Sequence, residues 1–252
     1  MILFASDLDN TLIHSYKRAD STDVCVEVKD EKQLSFMTPH ALGMLRNINK
    51  KENMVFAPVT TRSLEQYRRI DFFEGNEPAL ALAANGGILL ENGKANEEWH
   101  TKSVELIKNS MDDFSKGIRF LEKDENVYFE IRVVDELFVF TKSHDPVGTR
   151  ERLTDFLGSE FSEVFNIGDK VYIFPKILSK GNAIKRLKEK FGFEKIICAG
   201  DSEFDVSMLE IADFAYFPDE LRNDIGNKNC KSFDVSERRF ADQLLCEIEG
   251  GF

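Results

Sequence analysis

The sequence lacks any long hydrophobic run. No stretch approaches the ~20 consecutive apolar residues that a membrane-crossing helix requires, and the short apolar start is broken by Asp7 with no basic leader before it. Membrane insertion and export are therefore not expected. Cysteine is scarce: Cys25, Cys198, Cys230 and Cys246 lie far apart and form no Cys-x-x-Cys pair. Neither a zinc site nor a disulfide framework is indicated, and the four read as reduced thiols in the cytoplasm. Basic residues are outnumbered, 33 against 45 acidic, for a net charge of -12. That balance argues against a surface that tracks nucleic acid, so any anionic ligand needs a local site with a cation to help hold it. Proline is rare and repeats or low-complexity tracts are absent, whereas 42% of the chain is apolar. Disorder is thereby excluded, and 252 residues suffice for a core domain with a second one inserted.

At both ends of the chain, apolar runs alternate with helical patterns, the signature of a parallel sheet covered by helices in an α/β core. The runs are Ile2–Ser6, Met54–Val59, Ala79–Ala84, Lys195–Ala199 and Ala215–Phe217. Helices are expected from Pro39, after Thr38 as N-cap, and over Ser63–Phe73, Ser179–Phe191 and Ser236–Ile248. Residues 24–28 and 34–37 read as a hairpin standing just beyond the first strand, either a flap (14–37) or a surface ornament. The pattern changes at residue 88. A hairpin around Asn92-Gly93, helices over 103–121 and 146–161, and strands in 127–134, 137–141, 164–167 and 171–174 form an α+β unit with its own core. The expected division is a core of 1–87 and 176–252 with residues 88–175 inserted.

Chemistry concentrates where the core strands end. Asp7-Leu8-Asp9-Asn10-Thr11 places two carboxylates one residue apart after the first apolar run. On a strand, i and i+2 share a face, and the C-terminal edge of an open α/β sheet is where ligands bind. A solvated Asp-Asn turn is the plainer reading. Val59-Thr60-Thr61-Arg62 offers hydroxyls and amides at a helix start, which suit phosphate oxygens but equally an N-cap. Lys180 sits at a helix N-terminus, unfavourable with the dipole unless an anion compensates. Gly200-Asp201-Ser202-Glu203-Phe204-Asp205 sets two carboxylates four apart, suited to a hard cation such as Mg2+ or to capping by Asp201. Asn85-Gly86-Gly87 is a turn into the inserted unit or a substrate contact.

In its order, acid pair, Thr, Lys, acid pair, the chain resembles the haloacid dehalogenase-like superfamily. Asp7-Leu8-Asp9-Asn10-Thr11 is similar to the first motif, Thr60 to the second, Lys180 to the third, and Gly200-Asp201 with Asp205 to the fourth. The insertion resembles a type-2 cap, and Asn85 to Lys94 is similar to the core-to-cap junction of the Cof-type and sucrose-phosphate-phosphatase-like branch. Two positions depart from that branch: Thr61 stands where Gly is usual, and Phe204 where Asn is common.

The resemblance implies a Rossmann-like core and a Mg2+-dependent phosphatase acting on a small phosphomonoester such as a sugar phosphate. Asp7 would be the nucleophile and Asp9 the acid/base. Thr60, Thr61 and Lys180 would hold phosphate, while Asp7, Asp9 (through its carbonyl), Asp201 and Asp205 would serve the metal. Arg62 and Asn85 are candidates for substrate contact. His100, Arg132, His144 and Lys170 are polar residues of the inserted unit with no stronger claim. A phosphomutase, or a phosphate-binding regulatory module without catalysis, is the alternative, although binding alone does not require a nucleophile and an acid/base in one strand. Oligomeric state and substrate identity are not legible.

Overall fold

The computed structural model describes residues 1–75 and 77–251. They form two compact units, Met1–Asn96 with the chain from Lys180 onward, and Glu97–Ser179.

The first unit is built on a five-stranded parallel sheet in the spatial order Cys230–Phe233, Phe214–Pro218, Lys195–Ala199, Ile2–Ser6, Met54–Pro58. Its inner strands are apolar throughout because helices cover both faces of such a sheet. Leu3, Phe4, Ala5, Ile197, Cys198 and Ala199 are wholly buried. The Rossmann-like α/β core expected from the alternating runs is thus present. Pro58 closes the outermost strand, a place where its missing N–H costs no ladder bond. The helix Pro39–Ile48 begins as the sequence predicts, with Thr38 Oγ1 accepting from the Ala41 amide at 3.0 Å and proline in the first turn. The Thr38 hydroxyl also donates to Asp242 at 2.6 Å, and Lys51 Nζ donates to the Glu249 carbonyl at 2.8 Å. Both bonds tie this helix to the last one, Phe240–Gly251.

The hairpin is also present. Val24–Lys29 and Lys32–Met37 pair antiparallel around Asp30-Glu31, whose φ angles of 48° and 64° are those of a tight hairpin turn. His14–Ser15 adds a short third strand.

Three expectations are adjusted by long-range pairing. The helix expected over 63–73 spans only Leu64–Tyr67, because Ile70 bridges Glu27 and the Asp71 amide donates to the Val26 carbonyl. Ile88–Glu91 pairs with Leu80–Ala83. That pairing keeps residues 88–96 in the first unit, so the second begins at Glu97 rather than residue 88; its last residue is Ser179 rather than 175. Leu80–Ala83 itself joins this antiparallel sheet and meets the core segment through the Val59–Leu82 bridge. The edge strand Cys230–Phe233, short and half exposed, carries no clear apolar signal.

The second unit has a four-stranded antiparallel sheet, Ser162–Ile167, Lys170–Pro175, Phe138–Lys142, Arg132–Val134 in spatial order. The expected 103–121 helix is two, Glu97–Leu106 and Met111–Leu121, broken around the buried Ile107. Of the strand expected over 127–134, only 132–134 forms. Helix Pro146–Leu157 is capped by Asp145 at its start and ends at Gly158 with φ 50°. Phe114, Phe138, Phe174, Leu153 and Ile173 fill the core. Gly117 lets Ile173 pack closely, since a Cβ there would lie 2.3 Å from Ile173 Cδ1.

Candidate active site

The first strand ends at Ser6, and the Asp7 amide donates to the Ala199 carbonyl at 2.9 Å, so Asp7 sits beside the end of strand Lys195–Ala199. The next turn reverses through Asn10, at φ 64°, with the Leu12 and Ile13 amides both donating to the Leu8 carbonyl at 2.9 Å. This reversal separates the two carboxylates in character: Asp7 is buried, whereas half of the Asp9 side chain faces solvent.

Lys180 is 1% exposed, and its ammonium donates to Asp7 Oδ1 at 2.5 Å and to Asp205 Oδ1 at 2.6 Å. The two ion pairs account for a lysine in the first turn of helix Lys180–Phe191. The helix sits close because residue 181 is glycine: a Cβ would lie 2.2 Å from the Ser207 carbonyl oxygen. Asp205 is fully buried and organises the turn before it. Its Oδ2 accepts from the Asp201 amide, the Ser202 amide and the Ser202 hydroxyl, each at 3.0 Å. Gly200 has no side chain because the Asp205 Cβ occupies that space, 2.3 Å from where one would be. Asp201 accepts from Thr11 Oγ1 at 3.0 Å, a contact that the sequence reading did not assign.

Asp7, Asp201 and Asp205 each offer a carboxylate oxygen within 4.8 Å of the others. Burial holds the Asp7 carboxyl well above the usual range; Lys180 opposes this, and Asp205, Asp201 and Asp9 reinforce it. Asp201 is pushed up to about 7 by burial and then by Asp205. Lys180 stays charged because its two carboxylates outweigh the cost of its burial. Three carboxylates facing one ammonium in a buried site form an oxygen-only donor set with excess negative charge, which fits a hard divalent cation.

The second motif is shaped by the neighbouring turn. The Val59 amide donates to Ser6 O, Thr60 N to Leu82 O, Asn85 N to Thr60 O and Ala84 N to Arg62 O, all at 2.7–2.8 Å. Ala84 and Asn85 take φ of 51° and 55° to make this turn, and Asn85 is buried with its amide on the Thr60 carbonyl. Thr60 is fully buried, with Oγ1 accepting from the Arg62 amide at 3.1 Å; Thr61 is half buried.

Arg62 forms a two-pronged pair with Asp9, Nε to Oδ2 and Nη2 to Oδ1, both at 2.7 Å. Its Nη1 meets Glu27 at 2.9 Å. Burial works against the charge on Arg62, but Asp9 and Glu27 outweigh it and hold the guanidinium protonated. Glu27 was not expected here; its only signal is a carboxylate within the apolar strand pattern Val24–Val28. Phe204 is buried at 7% exposure and supplies no polar group where the resembling family has Asn. In the second unit, Arg132, His144 and Lys170 are exposed, and half-buried His100 contacts the Asp135 carbonyl at 3.0 Å. Arg132 stacks on Phe129 and His144 on Tyr128.

A profile of the haloacid dehalogenase-like hydrolases matches residues 48–217 of the chain. Among solved structures, a sucrose-phosphatase from Synechocystis sp. PCC6803, in complex with sucrose and phosphate, is similar at 18% identity and TM-score 0.66, covering 98% of this chain and 96% of its own. A haloacid dehalogenase-like hydrolase from B. subtilis is similar at 15% identity and TM-score 0.64, with both chains fully covered. A trehalose-6-phosphate phosphatase from Aspergillus fumigatus is similar at 13% identity and TM-score 0.53, covering 98% of this chain and 92% of its own. These likenesses establish a shared fold. A sequence comparison with curated proteins finds no significant match.

Proposed function

Because the chain belongs to the haloacid dehalogenase-like hydrolases, we propose that it is a Mg2+-dependent phosphatase of a small phosphomonoester, with a sugar phosphate as the favoured class. The observation that carries this reading is the buried Asp7, paired with Lys180 beside Asp201 at the end of the central strand, with Asp9 two residues on at the solvent edge.

In this reading, Asp7 attacks phosphorus, the bond from phosphorus to the ester oxygen breaks, and Asp9 delivers a proton to the departing alkoxide. Asp9 then takes a proton from the water that attacks the aspartyl-phosphate, releasing inorganic phosphate and restoring Asp7. Lys180 spends two of its three donors on Asp7 and Asp205, leaving one for a phosphate oxygen. The Thr60 oxygen accepts from the Arg62 amide, so its proton is available to a second phosphate oxygen. Preorganised donors of this kind supply most of the catalysis in phosphoryl transfer. Asp7, the Asp9 carbonyl and Asp201 would hold Mg2+. When bound, the cation neutralises charge between a carboxylate nucleophile and a dianionic ester. Asp205, with three donors on Oδ2 and the Lys180 ammonium on Oδ1, would serve the metal by ordering the Asp201 turn and Lys180 around it.

The inserted unit is assigned the cap role, reading the leaving group. The sugar-phosphate class is supported by the neighbours, a sucrose-phosphatase and a trehalose-6-phosphate phosphatase. Four free thiols suit the reducing cytoplasm, and no described helix is long and apolar enough to cross a membrane.

The test is phosphate release from sugar phosphates, polyol phosphates and nucleotides, with Mg2+ or with EDTA, in the native chain and in Asp7→Asn. Metal-dependent turnover that disappears in the variant is expected. Absence of turnover on every ester despite bound Mg2+ would overturn the reading, and turnover only with an activating bisphosphate would move it to a mutase.

A further inference from the structure

The hairpin holds one buried carboxylate. Glu27 is 2% exposed, although strand alternation on a surface hairpin would leave an acidic residue in water. The pairing of Val24–Lys29 with Lys32–Met37 shifts register on both sides of Glu27, and such bulges re-aim a side chain that regular alternation would place elsewhere. Turned inward, Glu27 accepts from Ser35 Oγ at 2.5 Å and Arg69 Nε at 3.1 Å, and it pairs with Arg62 Nη1 at 2.9 Å. Backbone bonds lock the arrangement: Glu27 bridges Ile70, and the Asp71 amide donates to Val26 O. The base of the hairpin is tied by Asp23, a half-buried residue, to His14 at 2.8 Å and Arg239 at 3.2 Å.

Arg62 is therefore gripped on two sides. Glu27 fixes one edge of the guanidinium, and the other edge takes both oxygens of Asp9. A planar fork matched to both oxygens of a half-exposed carboxylate sets its position and angle together. We infer that Glu27 is a positioning residue for the reaction: the bulged hairpin presents it so that Arg62 holds the Asp9 carboxylate in one orientation. The hairpin is then a structural arm of the active site and not a surface ornament. The catalytic consequence rests on the phosphatase reading; the grip on Arg62 does not.

Two measurements separate those claims. In 15N-labelled protein, the Arg62 guanidinium signals, identified by their loss in Arg62→Lys, should show restricted rotation in the native chain and averaging in Glu27→Gln. Unchanged signals in Glu27→Gln would overturn the inference whether or not the protein hydrolyses any ester. Where the native chain turns over, Glu27→Gln should lower kcat by roughly 10- to 100-fold with KM within about twofold, the range that a small misplacement of a reacting group costs. Because Glu27 acts through Arg62, the double variant Glu27→Gln/Arg62→Lys should be no slower than Arg62→Lys alone; multiplied losses would overturn the inference. Should Glu27→Gln fail to fold, Glu27→Asp, which keeps the charge and shortens its reach, carries the same expectations. A native chain without turnover would sink the phosphatase reading and leave the guanidinium signals to decide the grip.

Discussion

The Asp7–Asp201–Asp205 cluster of the first unit and the Asp124 cluster of the second handle charge in opposite ways. In the first, Asp7, Asp205 and Lys180 are packed out of water with Asp201 beside them, and the Asp7 and Asp201 carboxyls are held above their usual range. The second unit surrounds an aromatic core, with Phe138 and Phe174 rings 4.4 Å apart. There Asp124 accepts from Arg152 at 2.8 Å, from Thr149 at 3.0 Å and from Asn126 at 3.0 Å. Burial opposes these donors, but together they hold it down to about 2. A carboxylate surrounded by donors strengthens its unit. One surrounded by other carboxylates is a standing cost, kept because the site needs it.

The sharpest break in that comparison is Asp7→Asn. Turnover should fall by about 10³-fold or more while the melting temperature holds or rises, because the variant removes a buried charge that burial disfavours. Parallel phosphate-release and melting assays check both halves. Lys180→Met comes next: it strips the ammonium from two buried carboxylates, and losing one partner of a buried pair costs about 3–5 kcal/mol, read by denaturant unfolding. In the second unit, Phe138→Ala should cost about 3–4 kcal/mol by cavity formation, with no charge involved, read in the same way.

Smallest are the pH effects, and their signs oppose. Asp201 is raised when folded, so metal-free protein bears its cost fully above about pH 7 and loses that cost as pH falls toward the ordinary carboxylate range. Asp124 is depressed, so its contribution is present above the ordinary value, near 4, and is lost as pH falls toward about 2. Melting temperature in EDTA should therefore rise from pH 7 to 4 and fall below it. Asp201→Asn should flatten the first slope and Asp124→Asn the second, the latter by about 1–2 kcal/mol, discounted because Arg152 is exposed.

The sequence was most legible where burial is complete. Ile2–Ser6, Met54–Pro58 and Lys195–Ala199 are apolar because both sheet faces are covered, and the residues that break those runs, Asp7, Thr60 and Asp201, lie at their ends. Asn92-Gly93 announced a turn that its φ angles of 48° and 75° deliver. Legibility failed where one segment answers to another far along the chain. Leu64–Tyr67 is cut short by a hairpin some forty residues earlier. Ile88–Glu91 is claimed by Leu80–Ala83. Glu27 turns inward through a bulge that no local pattern encodes. The Asp9–Arg62 pair joins residues that local patterns assign to separate motifs.

The strand order has a consequence for synthesis. Ile2–Ser6 lies between Met54–Pro58 and Lys195–Ala199, so one side of that strand stays unpaired until nearly two hundred residues have followed it. Glu97–Ser179, whose sheet pairs only segments within itself, is complete well before then. A chain emerging from the ribosome can therefore finish its inserted unit while the core still presents an open edge. The long-range pairing that brings Lys180 and Asp201 to Asp7 makes the first unit the slower one to fold.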